Sequence, residues 1–521
     1  MAGGKIVERL TDFGMVWFEF EQPLMPNEVR EGELSVSREH DGFVDRRSDT
    51  QLVHNGTFVN NGELLPNFGY QKYFQIADKY ERRKHELPEL ELAHKLEDSR
   101  YYTQNEFGPA NGFINYKATV TTDESQFVIT PGYLKSESVK DGRRTFVYEM
   151  DAPIINFYSV LSAELESKKV EHNGVNIEVY YHKDHAWNVD RMIESVQDSI
   201  DYYTQAFGPY QHKQLRIIEF PKYRSFAQSF ANTVPYSESI GFITDLRDES
   251  KVDLPYYVTA HEVAHQWWGH QVSGANVEGS AVISETLSQY SALMVLKKRF
   301  GAEKLRKFLK YELDKYLMGR TGEAFEEMPL YKTQAQQYLH YNKGSVAMMA
   351  IYDRLGEVRL NAALKAFLNE FKYQSTPYPT TLDLLSYLKR DATQAEQRFI
   401  DDQFKYITLY ELEMKEVSVT DDVDGEGFYT VTLSVEATKQ HADGQGEETE
   451  QPLDELIDIA LFSDDSENLL AEDFVIYSKK HQIVSGTNTI ELKVKEKPLF
   501  AGVDPYIKLV DKDSKNNLAK F

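Results

Sequence analysis

The pattern of apolar and polar positions indicates strands in the first third of the chain. Residues 113–122 alternate apolar and polar side chains, and similar alternation follows the Lys-Asp-Gly turn at residues 140–142. The segment around Asn173-Gly174 predicts a β-hairpin, because tight hairpin turns favour the Asn-Gly dipeptide. We therefore expect a mainly β domain over residues 1–186.

The period becomes helical in the middle of the chain. Ile193, Val196 and Ile200 recur at three- and four-residue steps, which is the spacing of one helix face. Asn188 stands where an N-cap would begin this helix. Comparable patterns continue far downstream, so the sequence predicts a helix-rich domain over residues 187–411.

Strand-like alternation returns in the last part of the chain. Residues 429–435 carry apolar side chains at every second position, and this style continues towards the end, which predicts a C-terminal β-sandwich over residues 412–521. The polar segment 441–455 predicts a loop between two of its strands. The expected fold class is therefore multidomain α+β, with an N-terminal β domain, a helical domain and a β-sandwich.

Composition excludes several classes of function. The net charge of -25 and the pI of about 5.1 argue against a nucleic-acid partner, because the phosphate backbone needs clustered Lys and Arg. The chain contains no Cys, which excludes disulfides and thiolate metal sites.

The sequence also predicts that this chain does not insert into a membrane. No apolar run approaches the roughly 18 residues that a membrane span requires. The start of the chain lacks the basic end and the apolar stretch of a signal peptide. We therefore expect a cytoplasmic protein if the chain is complete, and a membrane-tethered soluble domain if it is a fragment.

The segment HEVAHQWWGH, residues 261–270, carries the clearest chemical signal. On a helix, His261 and His265 lie one turn apart, so both imidazoles can reach one metal ion. This spacing suits two ligands of Zn²⁺. Glu262 lies beside the pair, where a carboxylate can take a proton from water at the metal. The alternative interpretation is a set of charged residues on a solvated helix face.

A third ligand has to come from another position. Trp268 and Gln271 stand where a metzincin has its Gly and its third His, which excludes that class. If the helix continues, His270 lies about half a turn from the pair and faces away from the metal. Glu278 and Glu285 remain, and we favour Glu285 because it opens an apolar-periodic helix. An acid in the first turn of a helix also stabilises the helix dipole, which is the alternative role for Glu285.

HEVAHQWWG, followed by SETLSQY, resembles the zinc signature of the aminopeptidase N family of gluzincin metallopeptidases. The resemblance implies one Zn²⁺ per chain, held by His261, His265 and Glu285. It also implies a thermolysin-like catalytic domain between the two β domains, without the large C-terminal helical domain of many members. The nineteen residues from Gln266 to Ser284 are one more than the family has at this place.

Two further segments are similar to motifs of the family. YNKG contains Tyr341, and the resemblance implies that this phenol donates a hydrogen bond to the oxyanion of the reaction intermediate. PYSES matches in part the strand whose Glu binds the substrate's free α-amino group, which implies this role for Glu238. A tyrosine of the core and a glutamate of a loop are the alternative interpretations.

The resemblance therefore implies a zinc aminopeptidase that acts on peptides with a free N-terminus, with metal-activated water as the nucleophile and Glu262 as the base. The altered segment at Glu238 leaves two alternatives open. One is a catalytically weak or inactive sensing or interaction domain beside a membrane transporter, and the other is an endopeptidase on the same fold. The likeness extends to bacterial members fused to membrane permease segments, so fusion to a permease, or association with one, is a further expectation.

Overall fold

The computed structural model shows an α+β protein in which β-sheets at the N-terminal end precede a helical part, as the sequence predicts. The structure describes residues 4–11, 14–39, 51–69, 75–248, 251–421, 427–464 and 472–521. Within these ranges, none of the helices combines the length and the apolar character that crossing a membrane would require.

Short antiparallel sheets make up the N-terminal region. Their strands are β1 (Gly4–Leu10), β2 (Met15–Phe20), β3 (Thr57–Asn60), β4 (Phe113–Ile114), β5 (Lys117–Asp123), β6 (Phe127–Ile129), β7 (Tyr133–Lys140), β8 (Arg143–Glu149), β9 (Ile154–Ile155) and β10 (Ser159–Ala163). The sheets have the orders β1-β2, β3-β10-β6, β4-β9 and β5-β8-β7. Two short helices, α1 (Asn61–Leu64) and α2 (Lys79–Lys84), interrupt the strands.

A four-stranded sheet connects this region to the helical part. Its strands, in spatial order, are β11 (Glu166–His172), β12 (Val175–Tyr181), β13 (Gln214–Phe220) and β14 (Thr233–Ser237). The first two form the predicted hairpin, with positive φ at Asn173 (49°) and Gly174 (80°) in its turn. The other neighbours pair in parallel. The sheet thus contains strands from both sides of residue 186, where the sequence predicts a domain boundary.

Seven longer helices follow in the described residues. They are α3 (Val189–Ala206), α4 (Leu254–Ala264), α5 (Leu287–Thr321), α6 (Gly344–Leu355), α7 (Glu357–Phe371), α8 (Thr381–Lys389) and α9 (Gln394–Phe404). Gly301, with φ 80° and ψ 179°, divides α5 into two helical stretches. Two π turns, Val282–Thr286 and Tyr338–Lys343, lead directly into α5 and α6.

The end of α4 is fixed in the core by two tryptophans. Trp267 and Trp268 are fully buried. The Trp267 indole donates a hydrogen bond to the carbonyl of Gly208, after α3, at 3.0 Å, and the Trp268 indole donates to the hydroxyl of Ser291, in α5, at 3.0 Å. These bonds hold the segment that follows α4 between α3 and α5.

Strands return after α9. They are β15 (Ile407–Thr420), β16 (Tyr429–Ala442), β17 (Glu448–Gln451), β18 (Asp454–Phe462), β19 (Val475–Val484), β20 (Gly486–Val494), β21 (Phe500–Val503) and β22 (Leu518–Lys520). One sheet has the order β15-β16-β17 with β20 on β16, and the other has the order β19-β18-β21-β22. The prediction of a plain loop over residues 441–455 is wrong, because β17 pairs with β16 there. The division into three domains at residues 186 and 411 stays a prediction.

Candidate metal centre

The two histidines of the predicted metal pair lie at the C-terminal end of α4. Asp253 caps the start of this helix by accepting a hydrogen bond from the Tyr256 amide (3.1 Å), and the helix ends at Ala264. His265 follows with helical dihedral angles, and its amide donates to the His261 carbonyl (3.2 Å). The two Nε2 atoms are therefore only 2.9 Å apart, with their rings nearly perpendicular.

Glu285 completes a triangle with the two histidines. Its Oε2 atom lies 3.2 Å from the Nε2 atom of His261 and 3.2 Å from that of His265. It belongs to the π turn Val282–Thr286. Because a π turn holds one residue more than an α-helical turn, this turn can accommodate the residue by which the spacer exceeds that of the family.

The three donor atoms fit a divalent cation. Tetrahedral Zn²⁺, with bonds of about 2.0–2.1 Å, keeps its ligand atoms about 3.3 Å apart. The edges of the triangle, 2.9 and 3.2 Å, are close to this separation. Two imidazoles and one carboxylate are also a ligand set that Zn²⁺ takes in catalytic sites. The residues present therefore fit the ion that the sequence predicts.

The charges within the triangle balance each other. Burial opposes ionisation of Glu285, yet the neighbouring His265 and His261 hold the pKa of Glu285 well below its usual value. Burial likewise opposes protonation of His265, yet the Glu285 carboxylate raises the pKa of His265 to about 9. Burial and the neighbouring His265 lower the pKa of His261. In the metal-free protein His265 therefore carries a proton that a metal has to displace.

Glu262 is buried beside the triangle. It is 6% exposed, and its Oε2 atom has no hydrogen-bond partner in the described part of the chain. Burial raises the pKa of Glu262 to about 8, although the neighbouring His265 acts in the opposite direction. A buried carboxylate with an unpaired oxygen costs stability, and such groups concentrate at functional sites.

Tyr341 lies in the second π turn, Tyr338–Lys343. Its ring centroid is 5.8 Å from that of His261. Burial and the neighbouring Glu285 carboxylate raise the pKa of Tyr341 well above its usual value. The hydroxyl therefore stays protonated at neutral pH and can act as a hydrogen-bond donor.

The two π turns pack directly on each other. The Thr286 hydroxyl donates to the His340 carbonyl at 2.6 Å. A Cβ atom at Gly344 would lie 2.6 Å from Oγ1 of Thr286, so the glycine of YNKG is required by this close approach. The lysine of the same motif, Lys343, lies 3.9 Å from the Glu327 carboxylate, and burial lowers the pKa of Lys343 to about 8. Its side chain is almost fully buried next to Glu327.

Glu238 lies just after β14 and outside the triangle. Its Oε1 atom accepts a hydrogen bond from the Lys222 amide (3.1 Å), and its Oε2 atom is 3.7 Å from Nδ1 of His185. His185 also hydrogen bonds with the fully buried Glu219. The donor atoms of His185, Glu219 and Glu238 lie within 4.8 Å of one another. Burial raises the pKa of Glu219 to about 7, although its hydrogen bond with His185 acts in the opposite direction. The role of Glu238 in binding an amine stays a prediction.

The two other candidates for the third ligand have partners elsewhere. Glu278 accepts hydrogen bonds from the Lys95 amino group (2.9 Å) and the Gln334 amide (3.1 Å). His270 lies beyond the end of α4, because the helix does not continue to it, and its Nε2 atom hydrogen bonds to the Ser229 carbonyl (3.1 Å).

Glu106 lies at the site, although no motif in the sequence points to it. Its Oε2 atom accepts a hydrogen bond from Ser284 (2.8 Å), and its Oε1 atom has no partner in the ranges that the structure describes. Burial raises the pKa of Glu106 to about 8, and the neighbouring Glu285 adds to this effect. The bridge between Asn105 and Ala275 brings Glu106 to the site across a long stretch of sequence. Only covariation among related sequences could have predicted such a contact.

Comparison with known proteins agrees with this geometry. Residues 191–404 match the model of the Peptidase family M1 domain. Probable aminopeptidase 1 of Sulfurisphaera tokodaii is 25% identical over 191 residues, which cover 35% of this chain and 24% of that protein. Endoplasmic reticulum aminopeptidase 2 of Homo sapiens is 22% identical over 220 residues, which cover 39% of this chain and 22% of that protein. The match thus spans less than a quarter of either relative.

A solved structure shows the same fold. The crystal structure of Legionella pneumophila aminopeptidase A in complex with aspartic acid matches with a TM-score of 0.51 and 15% identity, covering 77% of this chain and 45% of that chain. Fold, site geometry and sequence match together define a peptidase domain. The matched M1 domain and the aminopeptidase relatives support an M1, aminopeptidase N-like family, which confirms the resemblance predicted from the sequence. The likeness to permease-fused members in particular stays a prediction.

Proposed function

We propose that this chain is a zinc-dependent aminopeptidase that removes N-terminal residues from peptides. The observation that carries the proposal is the convergence of His261, His265 and Glu285 on one point, with the unpaired oxygen of Glu262 beside them. Two imidazoles, one carboxylate and a neighbouring buried acid are the groups that a gluzincin site requires.

The chemistry follows from the positions of two side chains. When bound, Zn²⁺ supplies a Lewis acid that lowers the pKa of water and polarises a peptide carbonyl. Glu262 takes the proton of the attacking water and then passes it to the leaving nitrogen, and its burial favours the protonated form between these two transfers. Tyr341 donates its hydroxyl proton to a hydrogen bond with the carbonyl oxygen as negative charge develops there.

We propose that two carboxylates, those of Glu238 and Glu106, bind the free α-amino group of the substrate. Glu238 has this role through the resemblance of its segment to the family motif. Support for Glu106 comes from its burial at the site and from its oxygen without a partner among the described residues. An ammonium group can form a charge-assisted hydrogen bond with such an oxygen.

One experiment separates the proposal from its alternatives. Turnover of a panel of aminoacyl reporters is measured with and without a chelator, with zinc content determined on the same sample. We expect about one zinc per chain and loss of turnover on chelation. Equal cleavage of free and N-acetylated peptides would instead identify an endopeptidase. Bound zinc without turnover of any substrate would identify a non-catalytic domain.

We also propose that, in its native context, this chain is fused to membrane permease segments or associates with them. Its support is the similarity of the HQWWGHQVSGAN and PYSESIGF segments to bacterial members with that organisation. Fractionation of native cells tests it, because recovery of the protein only in the fraction without membranes would contradict it.

A further inference from the structure

A buried carboxylate in the second stretch of α5 accepts hydrogen bonds from α4, from the start of α5 and from the second π turn. Glu312 is 1% exposed. Its Oε1 atom accepts hydrogen bonds from the Tyr257 hydroxyl (2.9 Å) and the Gln289 amide (3.4 Å), and its Oε2 atom accepts one from the Asn342 amide (2.5 Å). Tyr257 lies in α4, Asn342 in the second π turn, and Gln289 in the stretch of α5 before Gly301, so this side chain joins two other elements to both stretches of its own helix.

Each donor is a close neighbour of a residue of the proposed site. The pairs are Tyr257 with His261, Gln289 with Glu285, and Asn342 with Tyr341. In the first two pairs the residues are one helical turn apart, and in the third pair they are consecutive. A shift at any of these donors therefore moves a site residue with it.

We propose that Glu312 is a positioning residue for the zinc site: it holds α4, the start of α5 and the second π turn in one mutual arrangement. This inference rests on the proposed function, because it assigns roles to the same side chains. A carboxylate can accept hydrogen bonds on both of its oxygens at once, and the geometry uses both. Groups that hydrogen bond to metal ligands commonly orient them, and Glu312 acts one step further out, through the neighbours of the site residues.

The alternative is a core residue that only contributes to folding. Stability alone gives a weak reason for a carboxylate here, because burying one is costly unless a cation pairs with it. Within the described residues, Glu312 forms no ion pair with Lys or Arg at 4.0 Å or less. Burial raises its pKa to about 7, although its three hydrogen bonds and Lys315 act in the opposite direction. A site that needs one rigid arrangement explains why this group is buried here.

The central experiment compares Glu312→Gln with a matched control, Glu357→Gln. The glutamine has only one acceptor oxygen, so it sets an N–H group against either Asn342 or the other two donors. We expect kcat to fall about 10- to 100-fold with little change in KM, and the affinity for zinc in chelator competition to fall by a similar factor. The control also removes a carboxylate that accepts a tyrosine hydroxyl, from Tyr202 at 3.1 Å, but it lies in α7 and its hydrogen bond goes to α3. Its kcat and zinc affinity should stay within twofold of the wild type.

A second variant separates positioning from loss of folding. In the double variant Glu312→Gln/Asn342→Asp the donor and the acceptor exchange places, so the amide of residue 312 can donate to the new carboxylate. We expect this variant to recover most of the lost kcat. Failure of the double variant to recover any activity, or an equal loss of activity in Glu357→Gln, would overturn the proposal.

Hydrogen exchange decides the inference independently of catalysis. In Glu312→Gln, peptides that cover α4, the start of α5 and the second π turn should exchange faster than in the wild type, whereas Glu357→Gln should leave them unchanged. Unchanged exchange in all three segments would contradict the role of Glu312 even in an active enzyme. A wild-type chain without zinc or turnover would refute the proposed function instead, and the exchange result would still apply to Glu312.

Discussion

At the residue scale, Glu262 lowers the stability of the fold and at the same time has a proposed role in the chemistry of the site. Its carboxylate is buried, and one of its oxygens has no partner among the described residues. A group in this state destabilises the fold by an amount on the order of 1–3 kcal/mol. Chemistry that uses the free oxygen as a base explains why the residue is a carboxylate and not an amide.

The variant Glu262→Gln should therefore separate turnover from stability. We expect kcat to fall by about 10²- to 10⁴-fold, because the base is lost. Zinc content should stay the same, and the melting temperature should stay the same or rise. The matched control is Glu278→Gln, which changes a buried carboxylate whose oxygens have partners away from the triangle. This control should keep kcat and lose stability, and the opposite outcome would contradict the role of Glu262.

Zinc uptake by the metal-free protein should release a proton. Although burial opposes it, Glu285 raises the pKa of His265 to about 9, so this imidazole is protonated at pH 7. The metal binds only the neutral form, so affinity should rise by about tenfold per pH unit between pH 7 and 9 and then level off. Calorimetry in buffers of different ionisation enthalpy measures the protons released. A proton count of zero at pH 7 would contradict the assignment of His265 as a ligand.

Local geometry decides which site residues can be predicted from sequence. His261, Glu262 and His265 share one helical turn, so their spacing alone indicates the chemistry. The positions of Glu106 and Glu312 depend on contacts between distant parts of the chain, which no local pattern encodes. The same limit applies to Glu238, whose contacts with Lys222 and His185 follow from the strand order and not from its motif.

At the scale of elements, the two π turns act as one unit, and Gly344→Ala should disturb both. The new Cβ would lie 2.6 Å from the Thr286 hydroxyl, so the turns have to separate. Overpacking of this kind costs about 1–3 kcal/mol of stability, and kcat should fall because Tyr341 and Glu285 move apart. The double variant Thr286→Ala/Gly344→Ala should restore part of both. Gly112→Ala, where a Cβ would meet nothing within 4 Å, is the control.

Elements with strong local signals agree with their predictions. The hairpin at Asn173-Gly174 has the positive φ angles that its turn needs, and α3 begins directly after Asn188. The Asn188 side chain does not cap the helix, because it donates instead to the Gly241 carbonyl (2.7 Å). β17 was not predictable, since its polar residues form a strand only because β16 provides an edge to pair with. Tertiary contact overrides local preference in both cases.

At the scale of the whole molecule, zinc should stabilise the fold. A ligand that binds only the folded state adds about 2.7 kcal/mol at a concentration one hundred times its Kd. We therefore expect the chelated protein to melt at a lower temperature, with recovery on addition of zinc. The variant Glu285→Gln should lose most of this zinc-dependent shift. An equal shift in this variant would show that the metal binds elsewhere.

The order of strand-rich, helical and strand-rich regions was predictable, because each region has its own period. The boundaries between these regions are harder to predict from the sequence, because periodicity indicates single helices and strands and not which strands share a sheet. β12 lies before residue 186 in the chain, yet it pairs with β13, which comes after that residue.

The sheet β11-β12-β13-β14 limits where the chain can be cut into fragments. A fragment trimmed to the matched residues 191–404 would lose β12, and β13 would become an open edge that invites aggregation. It would also lose Glu106 and the contact of Lys95 with Glu278. Recombination between residues 186 and 191 would therefore separate β12 from β13 and Glu106 from Ser284, so the partner sequence would have to supply both contacts.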